Sequence, residues 1–220
     1  MAEEESLSLL LEKLNLVSMK ANWKRGLEIG KKKGWSPSQY LSYLCEEELA
    51  LKYGKKIARY KKESQLAVGK SFRTFKFEEV GLEASKLVPY GEEKEWLKEK
   101  RNVLIFGPSG VGKTHLAVAI GEALIDKEVR VKFYRGSELV EELQEAKKEL
   151  KMEKHLERLS KYELLIIDDI GYVKKNERET SVLFELISQR YETGSLVVTS
   201  NLAFSEWDKI FSDTTMAVGQ

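Results

Sequence analysis

The chain is poor in the residues that build metal centres and covalent cross-links. Its 220 residues include one cysteine, Cys45, and two histidines, His115 and His155. A lone cysteine excludes an internal disulfide and any cysteine-based metal site, and it reads as a small apolar residue on a helix. Two histidines are too few for an ordinary zinc centre. No apolar run approaches the ~20 residues of a membrane span. The opening MAEEESLSLL is acidic where a secretory leader would be basic. A cytoplasmic protein with no membrane partner is therefore expected. There is also no guanine-reading N-K-x-D.

What is present suits a soluble protein rich in amphipathic helices, with 42% hydrophobic and 33% charged residues. The net charge of +1 conceals a division. Residues 1–70 carry 14 Lys and Arg against nine Asp and Glu, a balance of +5, and residues 71–220 carry −4. A basic front end on a slightly acidic body suggests an anionic partner for the front end; solvated lysines on helix faces are the alternative.

The most specific segment is IFGPSGVGKTHLA, residues 105–117. Gly107, Gly112, Lys113 and Thr114 occupy the fixed positions of G-x-x-x-x-G-K-[ST]. The apolar run NVLIF (102–106) precedes them as a buried strand, and an amphipathic helical pattern follows. Strand, loop and helix are the context the motif requires. Glycines let backbone N–H groups approach an anion, and the helix start adds positive potential. The ATP-binding stretch is thus Gly107, Pro108, Ser109, Gly110, Val111, Gly112, Lys113, Thr114 and His115. Lys113 is expected on the β- and γ-phosphates and the Thr114 hydroxyl on Mg²⁺.

Residues 6 to about 66 read as helix, with Leu9, Leu10, Leu14 and Val17 forming the apolar face of the first. Ser36-Pro37-Ser38-Gln39 reads as a capped helix start. The long helix that follows turns from acidic to basic and carries Lys55, Lys56 and Arg59 between Tyr53 and Tyr60. It suits a phosphate backbone, or it packs its tyrosines inward and leaves the lysines to water. This places a small all-helical domain at 1–68 and a nucleotide domain at 69–220. SFRTFKFEEV (71–80) leads into the second, its three phenylalanines read as core.

Beyond the loop, EVRVKFYRG (128–136) reads as a strand, and Ser137 as the cap of one helix running to about residue 160. LLIIDDIGY (164–172) is an apolar strand delivering Asp168, for the Mg²⁺ shell, and Asp169, the general base. SLVVTSN (195–201) is a further strand that brings Asn201 toward the attacking water. A whole strand–helix unit separates the loop strand from the Asp strand. That order fits an α/β fold of the AAA+ P-loop class with a parallel central sheet, and ATP over GTP.

GPSGVGKTHLA, LLIIDDIGY, FELISQRYETGSLVVTSN and LAFSEWDKIFSD together resemble the IstB-type ATPases of bacterial insertion sequences, relatives of the DnaC-type helicase loaders. The resemblance spans the chain. It implies an ATPase that forms a homo-oligomer on double-stranded DNA and stimulates the transposase of the same element. It also implies nucleic-acid contact from the helical segment before the Asp strand, here Lys147, Lys148, Lys151, Lys154 and Arg158, with Lys174 and Lys175 as a second basic cluster. Glutamates at helix-pair spacing offer those bases intrahelical partners instead. Relatives more often place Glu where Asp169 stands, which implies slow hydrolysis. The chain ends at TTMAVGQ, before the segment in which relatives hold their arginine finger and sensor arginine. Arg190 is then the nearest candidate for an interface arginine. A helicase loader and a nucleotide-gated scaffold with little turnover are the rival readings.

Overall fold

The structure is a computed structural model describing residues 2–80, 82–172 and 177–202. It divides into two compact units, Met1–Arg59 and Tyr60–Gln220. The division falls inside a helix, earlier than the boundary after residue 68 that the linker suggested.

The first unit holds α1 (Ala2–Lys13), α2 (Val17–Lys33) and most of α3 (Pro37–Ser64). The start of α3 is the reciprocal cap its sequence implies. Ser36 N–H donates to Gln39 Oε1 at 2.8 Å, and Gln39 N–H donates to Ser36 Oγ at 3.3 Å. The start of α2 has no side-chain cap of its own. Glu48 of α3, 3% exposed, supplies one from 30 residues away, accepting the N–H of Ser18 at 2.7 Å and of Met19 at 3.1 Å. A carboxylate there also meets the positive end of the helix dipole. Gly26 lets the two helices close up, since a Cβ on it would lie 2.9 Å from the Tyr43 ring. The apolar residues expected on the face of the first helix stay exposed: Leu9 and Leu10 of α1, Leu14 just after it and Val17 at the start of α2 are all more than half exposed.

The second unit begins with the last turn of α3, where Lys61 pairs with Asp126 and Glu63 with Arg130. Four short helices follow, α4 (Phe77–Val80), α5 (Leu82–Ser85), α6 (Val88–Glu92) and α7 (Glu95–Lys98). Then come β1 (Val103–Phe106), α8 (Lys113–Ile125), β2 (Val131–Arg135), α9 (Gly136–Lys148), α10 (Met152–Ser160), β3 (Leu164–Asp168), α11 (Glu177–Thr193) and β4 (Ser195–Ser200). The four strands form a parallel sheet in the order β1-β4-β3-β2. β3 and β4 are central and buried at every position, as strands covered on both faces must be. The strand leading to Asn201 thus flanks the Asp strand and also separates it from the loop strand.

The single helix expected from Ser137 to about 160 is two. α9 begins at Gly136 with Arg135 in the cap position, so Ser137 sits inside the first turn. After Lys148, Leu150 takes a left-handed φ of 57°. The Leu150 N–H then bonds Lys147 C=O, and the Lys151 N–H bonds Ala146 C=O, which closes the helix end. The apolar series Leu139, Leu143, Ala146 would run on to Leu150 in a straight helix. Breaking the helix instead turns Met152, Leu156 and Leu159 onto the same core. Each such side chain buried contributes about 1.5–3 kcal/mol, which outweighs exposing Leu150.

Candidate functional site

In a parallel sheet all strands deliver their carboxyl ends to one edge. Register places Phe106 of β1 beside Ser200 of β4, Ile167 of β3 beside Val198, and Arg135 of β2 beside Asp168. Gly107, Asp168, Asp169 and Asn201 leave the sheet on that edge.

The loop leaves β1 and turns on Gly110 and Gly112, whose φ values are 88° and 89°. A side chain is strained at either position. At Gly112 it also lacks room, because a Cβ would lie 2.7 Å from the Phe75 ring. Phe75, 9% exposed, is the one fully buried linker phenylalanine and packs on the loop itself. Its ring also meets His115 edge-on, centroids 5.2 Å apart. His115 Nε2 lies 3.0 Å from Ser71 O and 3.1 Å from Thr74 Oγ1. The His115 side chain therefore faces the linker.

Gly112 caps α8 without a side-chain hydrogen bond, leaving N–H groups at the helix start for an anion. Pro108, Ser109 and Gly110 are exposed, whereas Lys113 is 7% exposed. Its ammonium donates to Gly107 O at 2.8 Å and Pro108 O at 2.9 Å, folding over its own loop. A buried cation with only carbonyl partners is a site for negative charge.

Thr114 Oγ1 donates to Asp168 Oδ2 at 3.0 Å. Thr199 Oγ1 donates to Asp168 Oδ1 at 2.7 Å and accepts the Asp169 N–H at 2.9 Å. Asp169 is left-handed, φ 57°, and leaves the strand at that point. Asn201 follows β4, and its buried Oδ1 has no hydrogen-bond partner among the described residues. It lies 2.2 Å from where a Cβ on Gly171 would be, so that glycine makes room for it. The fold thus joins Thr114 to Asp168 and ties both Asp168 and the Asp169 N–H to the Thr199 hydroxyl. Thr199 was not anticipated, although a hydroxyl in the otherwise apolar LVV run was the signal. Among the described residues no group of three or more His, Cys, Asp and Glu could hold a metal ion. Thr114 and Asp168 offer a hydroxyl and a carboxylate, hard oxygen donors that suit Mg²⁺ when phosphates and water complete its shell.

The expected nucleic-acid residues are more dispersed. Lys55 and Arg59 are exposed on α3 and Lys56 is half-buried. Tyr53 is exposed, but Tyr60 is buried against the Arg130 guanidinium. In the second unit Lys148 and Lys154 are exposed. Lys147 reaches Ser181 and Glu185, Lys151 pairs with Glu149 at 2.7 Å, and Arg158 pairs with Glu142 at 2.6 Å. The cleft beside these residues is also lined by Glu142, Glu145, Glu149 and Glu157, so its charge is mixed. His155 lines it too, its basicity lowered by burial despite Glu142 at 3.4 Å. Lys174 and Lys175 lie outside the described residues, as do positions 203–220.

Arg190, the candidate interface arginine, is turned into the core instead of outward. It is 0% exposed, and its guanidinium donates to the carbonyls of Leu159, Tyr162, Glu163 and Ser195 at 2.7–3.3 Å. It stitches α10, the approach to β3 and the start of β4 together. Burial lowers its pKa to about 10.

Among the described residues no helix is long and apolar enough to cross a membrane. Residues 9–219 match the family described as IstB-like ATP binding protein. The chain is 41% identical over 217 residues to an insertion-sequence ATP-binding protein of Sinorhizobium fredii, covering 98% of this chain and 73% of that one. It is 32% identical over 212 residues to the IS21 ATP-binding protein of Pseudomonas aeruginosa, covering 96% and 80%. The structure of AMPPCP-bound DnaA from Aquifex aeolicus superposes with a TM-score of 0.61 at 18% identity, over 71% of this chain and 48% of that one. The DnaC helicase loader gives 0.59 at 20% identity, over 73% and 92%. At these identities the solved structures speak to the fold, and it is the AAA+ P-loop fold.

Proposed function

The chain belongs to the IstB-like ATP-binding proteins of insertion sequences, and from that premise we propose an ATP-hydrolysing helper of transposition. It binds double-stranded target DNA as a homo-oligomer and stimulates the transposase of its own element. The observation that supports the nucleotide half is the 3.0 Å hydrogen bond from Thr114 to Asp168, which joins the phosphate loop to the acidic strand.

The loop N–H groups and the start of α8 receive the phosphates, and the Lys113 ammonium exchanges its carbonyl partners for β- and γ-oxygens. Thr114 and Asp168 hold Mg²⁺, which when bound supplies neutralisation of phosphate charge. Asp169 accepts a proton from the attacking water. The water oxygen bonds to the γ-phosphorus, the bond to the β–γ bridging oxygen breaks, and ADP carries away that electron pair. The amide of Asn201 orients the same water. With an aspartate as base, turnover is slow.

On the DNA side, Lys55, Lys56 and Arg59 of α3 and Lys147, Lys148, Lys151, Lys154 and Arg158 at the α9–α10 corner contact phosphates, with Lys174 and Lys175 contributing. Phosphate contacts give binding with little sequence preference. Subunits assembled with ATP sum many weak contacts. The test is a mobility shift on unrelated duplexes, with and without ATP, over a range of salt. ATP-promoted binding that falls steeply with salt is expected, about −0.9 in log K against log salt per phosphate on B-DNA. Tight binding to a helicase hexamer with no duplex binding in any condition would replace this reading with that of a loader.

A further inference from the structure

A central strand buried on both faces needs no hydroxyl. Leu196, Val197 and Val198 of β4 follow that rule; Ser195, Thr199 and Ser200, each 0% exposed, depart from it, and of these Thr199 is the one whose hydroxyl meets Asp168 and Asp169. Valine has nearly the same shape, so packing does not account for the oxygen. A buried hydroxyl is explained by its partners. Thr199 Oγ1 spends its proton on Asp168 Oδ1 at 2.7 Å and a lone pair on the Asp169 N–H at 2.9 Å. The first bond leaves Asp168 Oδ2 facing Thr114 Oγ1 at 3.0 Å. The second satisfies an N–H that turns away from the ladder where Asp169 adopts its left-handed conformation. One hydroxyl therefore sets the carboxylate of Asp168 and the backbone from which the Asp169 carboxylate projects.

We infer that Thr199 is a positioning residue for the Asp168–Asp169 pair, holding the metal-facing acid and the base in fixed register; this rests on the ATP reading above. Serine can make both bonds, and valine can make neither. Cysteine is small enough for the space but a weak donor and acceptor.

The experiment measures binding of a fluorescent ATP analogue with and without Mg²⁺, and the kcat of hydrolysis, for the full chain and its Thr199→Val, Thr199→Ser and Thr199→Cys variants. Thermal melting verifies that each is folded. In Thr199→Val the gain in affinity from Mg²⁺ is expected to shrink and kcat to fall, each by about 10- to 100-fold, the range for residues that orient a metal ligand. Metal-free affinity stays within about twofold, because the loop contacts are untouched. Thr199→Ser retains both quantities, and Thr199→Cys follows valine, standing in for it should Thr199→Val not fold. Wild-type Mg²⁺ gain and kcat in Thr199→Val, or equal loss in Thr199→Ser, overturns the inference alone. A wild-type chain that binds no analogue overturns the ATP reading and the inference with it.

Discussion

The carboxyl edge of the sheet and the α9–α10 corner both carry cations that a sequence reading assigns to phosphates, yet they are built differently. At the sheet edge Lys113 is buried, its partners are backbone carbonyls, and its position follows from the glycine turns on either side of Val111. At the corner Lys147, Lys151 and Arg158 are exposed and each already faces a glutamate. A cation held by neutral dipoles keeps its field for a ligand. An exposed ion pair is worth at most about 1 kcal/mol and cancels much of its own field. Counting lysines overstates the positive potential of the corner, while the motif at the loop understates how closely Lys113 is held.

The largest effect lies among the buried cations. Arg190→Met would remove a donor from four carbonyls, of which Leu159 O and Glu163 O keep the backbone N–H of Tyr162 and Ser195 while those of Tyr162 and Ser195 lose the guanidinium. At about 1–3 kcal/mol per unsatisfied buried group, relieved in part by relaxation, a loss of about 4 kcal/mol is expected in urea denaturation. Gly194→Ala should act in the same direction, because a Cβ there would lie 2.2 Å from the guanidinium. Unchanged stability would show that the carbonyl cluster is not what holds Arg190 inside.

Next, Lys113→Ala should weaken a fluorescent ATP analogue by at least about 100-fold, roughly 2.7 kcal/mol, with little change in melting temperature. Unchanged affinity would remove the distinction between the two regions. Asp169→Asn should keep nucleotide affinity while reducing turnover about 100-fold, the usual worth of a general base. Survival of the wild-type rate would move the base elsewhere.

At the corner the contrast becomes a competition. Lys148→Ala with Lys154→Ala should reduce the salt slope of DNA binding by nearly 2, at about 0.9 per phosphate. Lys147→Ala with Lys151→Ala should reduce it less, because Glu185 and Glu149 already occupy those ammonium groups. Equal reductions would mean that the ion pairs open freely on binding.

The smallest effect concerns pH. His155 is held below the ordinary histidine value, chiefly by burial, with Glu142 opposing and Arg158 reinforcing. The folded state favours the neutral ring, so the contribution is full above the unfolded value near 6.5 and is lost as pH falls through the lower folded one. His155→Gln should flatten the fall in stability as pH drops from about 6.5 through the lower folded value. A parallel fall in both proteins would assign the dependence to other groups.

Local rules made much of this protein legible without coordinates. The phosphate loop, the capped start of α3 and the apolar strand ending in Asp168-Asp169 each depend on neighbours a few residues apart. Glycine at a left-handed turn or a Ser–Gln capping pair has the same meaning in any fold. The strand–helix unit inserted between the loop strand and the Asp strand was also legible, and it pointed to the AAA+ class of parallel sheets. What only the tertiary structure decided involves partners distant in the chain. Glu48 caps a helix start 30 residues away. Arg190 is buried by carbonyls contributed from α10, the approach to β3 and the start of β4. The helix expected to run through Leu150 breaks so that two apolar faces share one core. Thr199, unremarkable beside two valines, meets both aspartates only because β4 lies next to β3. Charge and hydroxyl chemistry are written in the residue type, but burial and partner are properties of the packed chain, and those decide whether a polar group is held for a ligand or consumed by the fold.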